Sequence, residues 1–223
     1  MRKLIITFLS LIFCIYAYPQ EQTQSIEEQV TELSNFQILG CENQLNTNVA
    51  YLNQVGDNNN IVAIQQNTGA VPNQIISIQE GEGNQGYIEQ SGPAHLIILR
   101  QDGWNNEANL WSEGARTDTW VTQVGDNNII NSYIDNAGLL PKAALLKQDG
   151  SNNVIDFALL GNGCLWNSWP KGAYIKQTGD DLEVTALFDS YQSPVYIEQQ
   201  SGANGGMKVN VSNTTFSFPM KKY

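Results

Sequence analysis

Histidine occurs once in the 223 residues, at His95, and cysteine three times, at Cys14, Cys41 and Cys164. So thin a supply of nitrogen and sulfur ligands leaves no Cys/His cluster with metal-binding spacing. There is no Gly-x-Ser-x-Gly nucleophile turn and no phosphate-cradling loop. No cofactor, metal or catalytic residue is therefore expected, and His95 reads as a residue that packs or is solvated at a rung corner. Basic side chains are also scarce, 11 Lys and Arg against 22 Asp and Glu. Nucleic acid attracts basic patches, so it is not an expected partner. The acidity serves solubility. Beyond the first stretch, no run is apolar enough to cross a membrane.

That first stretch, Leu4 to Ala17, follows Arg2 and Lys3 and ends on a small residue. Basic start, short apolar run and small residue together predict a secretory signal peptide over residues 1–17. Cys14 follows Leu-Ile-Phe, a poor context for bacterial lipidation. Export leaves Cys41 and Cys164, which an oxidising compartment permits to bridge. The sequence leaves their pairing open.

What the chain has in abundance is one phrase: Gln, any residue, Gly, two more, then usually Asn. It reads Gln54-Val-Gly56-Asp-Asn-Asn59, Gln79-Glu-Gly81-Glu-Gly-Asn84, Gln101-Asp-Gly103-Trp-Asn-Asn106, Gln123-Val-Gly125-Asp-Asn-Asn128 and Gln148-Asp-Gly150-Ser-Asn-Asn153. Degenerate copies follow at Gln177/Gly179 and Gln199/Gly202. The starts lie 25, 22, 22, 25, 29 and 22 residues apart. A period in this range is the signature of a solenoid whose repeats stack as rungs.

Counting back by two from each Gln gives Leu52, Ser77, Leu99, Val121, Leu146, Ile175 and Ile197, and by four Ala50, Ile75, Ile97, Thr119, Ala144, Ala173 and Val195. Alternate strand residues share a face, so this mostly apolar set points inward and the Gln points inward with it. After the turn the alternation resumes, as in Asn84, Gly86, Ile88, Gln90 and in Asn153, Ile155, Phe157, Leu159. Each rung is thus strand, tight turn, strand. The fold class is all-β, a β-solenoid of about seven rungs over residues 47–213. Gly56, Gly81, Gly103, Gly125, Gly150 and Gly179 supply the turns. A lone buried amide is costly. Stacked on an identical side chain one rung away, it bonds along the stack and fixes register. Gln54, Asn59, Gln65, Gln79, Asn84, Gln90, Gln101, Asn106, Gln123, Asn128, Gln148, Asn153, Gln177 and Gln199 are the expected ladder.

The phrase resembles the curlin repeat of bacterial curli subunits, Gln-x-Gly-x-x-Asn-x-Ala-x-x-x-Gln. Rung two matches with Gln79, Gly81, Asn84 and Gln90, Gly86 standing for Ala; rung three with Gln101, Gly103, Asn106 and Ala108; rung one with Gln54, Gly56, Asn59 and Gln65. The last inner Gln is lost from rung three onward, replaced by Ser112, Ile134, Leu159 and Phe188. The resemblance covers about residues 48 to 212. It implies an extracellular functional amyloid of the biofilm matrix, exported unfolded through an outer-membrane secretion pore. Its implied partners are further copies of itself and related curlin subunits, with host or abiotic surfaces as adhesion targets. The acidic, Gln-rich segment 18–46 is similar to the export signal such a pore reads, and alternatively caps the first rung. The tail, residues 214–223, either caps the last rung or stays mobile, and its Pro219, Lys221 and Lys222 are similar to devices that blunt a sheet edge.

Three residues before each Gln stand Tyr51, Ile76, Ile98, Trp120, Leu145, Tyr174 and Tyr196, an outward stripe. Such residues favour strands in any case; exposed together, they predict an interface for bundling or adhesion. Turn carboxylates recur at Asp57, Asp126, Asp149 and Asp180, without the spacing of a calcium-binding solenoid. Two other classes fit an exported solenoid: a monomeric, capped module binding cell surfaces or carbohydrate, and a polysaccharide-active β-helix enzyme. The outward residues just before each Gln, among them Arg100, Lys147 and Lys176, form no row of acids that an enzyme of that kind would need.

Overall fold

The computed structural model describes residues 47–67, 69–114, 116–135, 141–160, 173–188, 195–202 and 205–212. The expected signal peptide, the segment 18–46, the tail 214–223 and both Cys41 and Cys164 lie outside the described residues.

Fourteen strands alternate between two sheets. The first sheet holds β1 (Val49–Val55), β3 (Gln74–Glu82), β5 (Leu96–Trp104), β7 (Thr117–Val124), β9 (Lys142–Asp149), β11 (Ala173–Thr178) and β13 (Val195–Gln200), in that order. The second holds β2 (Asn60–Gln66), β4 (Gln85–Ser91), β6 (Glu107–Ser112), β8 (Ile129–Tyr133), β10 (Val154–Asp156), β12 (Leu182–Thr185) and β14 (Met207–Asn210). Every pairing is parallel. Parallel neighbours need a crossover, and here the crossover is the strand of the opposite sheet. The result is a β-solenoid of seven rungs, as the repeat predicts.

Register follows the phrase. Gln54 pairs with Gln79, then Gln101, Gln123, Gln148, Gln177 and Gln199 in unbroken succession. Inward side chains of both sheets meet in one core, including Ile75, Ile97, Leu99, Leu110, Ile130, Leu146, Ile155 and Phe157. Phe157 and Phe188 meet edge to face at 5.9 Å between ring centres. These two fill inner positions of rungs five and six, Phe188 at the place where rungs one and two carry Gln65 and Gln90.

One expectation needs correction. Tyr51, Ile76, Ile98, Trp120, Leu145, Tyr174 and Tyr196 do stack in register outside the core. Yet Ile76, Ile98, Trp120, Leu145 and Tyr174 are buried, and only the terminal Tyr51 and Tyr196 are exposed, at 42% and 62%. Stacking alone does not close them, since Arg100 and Lys147, flanked in the same way in the neighbouring outward row, stay exposed and half-buried. Tyr174 and Tyr196 stack nearly parallel, 4.7 Å apart. The stripe is therefore not a continuous exposed patch.

Candidate functional site: the amide ladders and the end rungs

The inner Gln row is a one-way chain of hydrogen bonds. Gln54 Nε2 donates to Gln79 Oε1 at 2.7 Å, Gln79 to Gln101 at 2.6 Å and Gln101 to Gln123 at 2.8 Å. Gln123 continues to Gln148 at 3.0 Å, Gln148 to Gln177 at 2.9 Å and Gln177 to Gln199 at 2.8 Å. From Gln79 to Gln199 each Nε2 also reaches a backbone carbonyl, as Gln101 does at Gln85 O. All from Gln79 to Gln199 are buried. An amide carries two donors and an acceptor, and this arrangement satisfies them without water, as burial requires. The predicted partner row is present as well: Gln65 Nε2 donates to Gln90 Oε1 at 2.9 Å.

The turn Asn residues form a second ladder. Asn84 Nδ2 donates to Gly103 O, Asn106 to Gly125 O, Asn128 to Gly150 O and Asn153 to Gly179 O, all at 2.7–2.8 Å. In return each Oδ1 accepts the backbone N–H one rung on, from Asn84 onto Asn59 through Leu182 onto Asn153. The predicted turn glycines lie at positive φ, from +103° at Gly56 to +135° at Gly150. They are also sterically obligatory: a Cβ on Gly81 would sit 2.1 Å from Gly103 O. Two residues further on, Asn58, Asn105, Asn127 and Asn152 are left-handed too, a conformation Asn tolerates.

A third polar corner was not legible in the repeat. Asn73 N donates to Asn48 Oδ1 at 3.0 Å, and His95 N to Asn73 Oδ1 at 3.0 Å. His95 is buried, so of the two expected roles at the corner the structure shows packing and not solvation. Its Nε2 lies 2.7 Å from Ser91 O and its Nδ1 2.6 Å from Thr117 Oγ1. A carbonyl only accepts, so Nε2 carries the proton and Nδ1 accepts from the hydroxyl. Burial pulls the imidazole below its usual range, against the opposing pull of the carbonyls of Ser91 and Gly114. The position holds Asn, Asn, His, Thr and Lys in successive rungs, so no single residue type advertised it. The turn carboxylates are structural here: Asp126 accepts Trp104 N–H and Asp180 accepts Ser151 N–H.

Both ends of the stack are open among the described residues, since β1 and β2 at one end and β13 and β14 at the other pair on one side only. Exposed large apolar side chains gather there: Tyr51, Leu52, Val55, Val62 and Ile64 on the first rung, Tyr196 and Met207 on the last. The polar ladder is complementary at these ends. Gln199 Nε2 reaches Glu183 O and Met207 O. Inner glutamines divide the two N–H groups differently, as Gln101 does with one on Gln85 O and one on the next glutamine. Gln54 presents its Oε1 on the opposite end.

The fold and these ladders define a class: a parallel β-solenoid with an amide-laddered interior. Comparison with protein-family models, with curated proteins and with solved structures gave no match.

Proposed function

We propose that this chain is the secreted structural subunit of extracellular, curli-like amyloid fibres, acting in adhesion and in the biofilm matrix, and that it is not an enzyme. The observation that carries the reading is the pair of open end rungs. The exposed Tyr51 and Tyr196 are equivalent in register, and the two ladder ends are opposite in hydrogen-bond sense. Extending the register by one rung places Gln199 on Gln54, Ile197 on Leu52, Tyr196 on Tyr51 and Val209 on Ile61 of a second copy. Backbone edges then pair, Leu52 is covered, and Gln199 Nε2 turns one of its two N–H groups to Gln54 Oε1 as Gln177 does to Gln199. Growth is templated addition, in which an incoming chain copies the hydrogen bonds of the exposed rung. Related subunits with the same phrase add by the same rule. Export through an outer-membrane pore delivers the chain to the cell surface.

The test is thioflavin fluorescence over time after dilution from denaturant, with fibre diffraction on the product. A sigmoidal rise with reflections near 4.7 Å and about 10 Å is expected. Gln79→Ala with Gln101→Ala lengthens the lag. A stable, strand-rich monomer overturns the reading and leaves a capped surface-binding module.

A further inference from the structure

Away from Val62 and Ile64 of the first rung, the outer face of the second sheet takes no part in the core, the ladders or the end contacts. Two adjacent rows run along it. In the first, Tyr87, Asn109, Asn131 and Asp156 occupy successive rungs in register. In the second, Trp111 follows Glu89 and Tyr133 follows Trp111. All are half-buried, unlike the inner stripe of the first sheet. The planar polar groups are tied into a fixed line: Asn109 Nδ2 donates to Glu107 Oε1 at 2.7 Å and Asn131 Oδ1 at 3.0 Å, and Asn131 Nδ2 to Asp156 Oδ1 at 2.8 Å. Beside them Trp111 and Tyr133 meet edge to face, 4.9 Å between centres.

We propose that this face binds a neutral, β-linked polysaccharide lying along the stack. Apolar C–H faces of pyranose rings pack on Trp111 and Tyr133, and the amphipathic character of these rings suits a half-wet site. Hydroxyl groups donate to Asn109 Oδ1 and Asp156 Oδ2, whose amide and carboxyl planes the neighbouring hydrogen bonds already hold. Rungs recur at about 4.8 Å, close to the advance of one residue in an extended β-linked glycan, so successive sugars meet successive rungs. The charge selects the class. Glu89, Glu107 and Asp156 make the patch acidic, and like charge opposes a uronic-acid polymer. The proposal rests on the folded stack and not on its polymerisation.

The test uses the full chain, freshly folded and as fibres, with cellohexaose titrated in solution and with retention on cellulose and on alginate beads. Cellohexaose binding and retention on cellulose but not alginate are expected. Trp111→Ala with Asn131→Ala weakens cellohexaose binding by about tenfold or more, and Trp111→Phe keeps it within about threefold. Trp104→Ala, on an exposed turn (61%), leaves it unchanged. Should the double variant lose its strand signature in circular dichroism, Tyr133→Ala gives the same reading. Equal retention on alginate, no binding by the native chain, or equal loss in Trp104→Ala overturns the proposal. Fibres that form normally yet ignore cellohexaose overturn it while leaving the fibre reading intact.

Discussion

Gln148 Nε2 donates to Gln177 Oε1 at 2.9 Å across 29 residues of chain, the same contact that Gln79 makes with Gln101 across 22. The longer connection changes nothing in the ladder, because register is set by the stacked side chains and not by the length between them. Gln148→Ala leaves Gln177 Oε1 and Ile129 O without their amide donor. The expected loss is about 2–4 kcal/mol of rung stability, read from urea unfolding of the freshly folded chain. Gln54→Ala, at the exposed end, costs under about 1 kcal/mol by the same measurement.

Gly103 tests the turn. Its φ is +123°, and a Cβ there would lie 2.1 Å from Gly125 O. Gly103→Ala is expected to cost at least about 2 kcal/mol through strain and backbone displacement. Gly202 has nothing within 4 Å of the same construction. Gly202→Ala should stay within about 0.5 kcal/mol, and equal effects at both sites would contradict the steric account.

Asn128 tests the corner ladder. Its Nδ2 donates to Gly150 O at 2.7 Å and to Asn106 Oδ1 at 3.0 Å. Asn128→Asp keeps the shape but turns a carboxylate oxygen toward two acceptors. A loss of roughly 2–4 kcal/mol at neutral pH is expected. Acidification protonates the carboxyl, restores a donor and recovers part of the loss, so unfolding midpoints at pH 4 and pH 7 check the sign.

Asp118 on β7 gives a second pH dependence, already present in the native chain. Burial raises its carboxyl from the ordinary 3.8 to about 6. Below pH 3.8 the group is neutral both folded and unfolded and costs nothing. Stability falls as pH rises through about 6, where the folded state must accept a buried charge. Asp118→Asn therefore matches the native chain in acid and exceeds it by up to about 3 kcal/mol at neutral pH. An equal difference at both pH values would exclude Asp118 as the source.

Much of this molecule is legible one residue at a time. The spacing of Gln and Gly determined the rungs, the alternation of Leu99, Val121 and Leu146 determined the inward face, and the recurrent Asn after the turn determined the corner. These follow from local rules: period two in a strand, positive φ in a turn, and the cost of an unsatisfied buried amide. Only the tertiary stack decided the rest. It made the hydrogen bonds one-way, so that Gln54 and Gln199 end in opposite senses. It buried Trp120 and Leu145 in a stripe expected to be open, an outcome no single strand reveals. It also assembled Asn48, Asn73, His95 and Thr117 into one corner, and Asn109, Asn131 and Asp156 into one line. Unlike residues at equivalent positions carry no repeat signal until the register places them side by side.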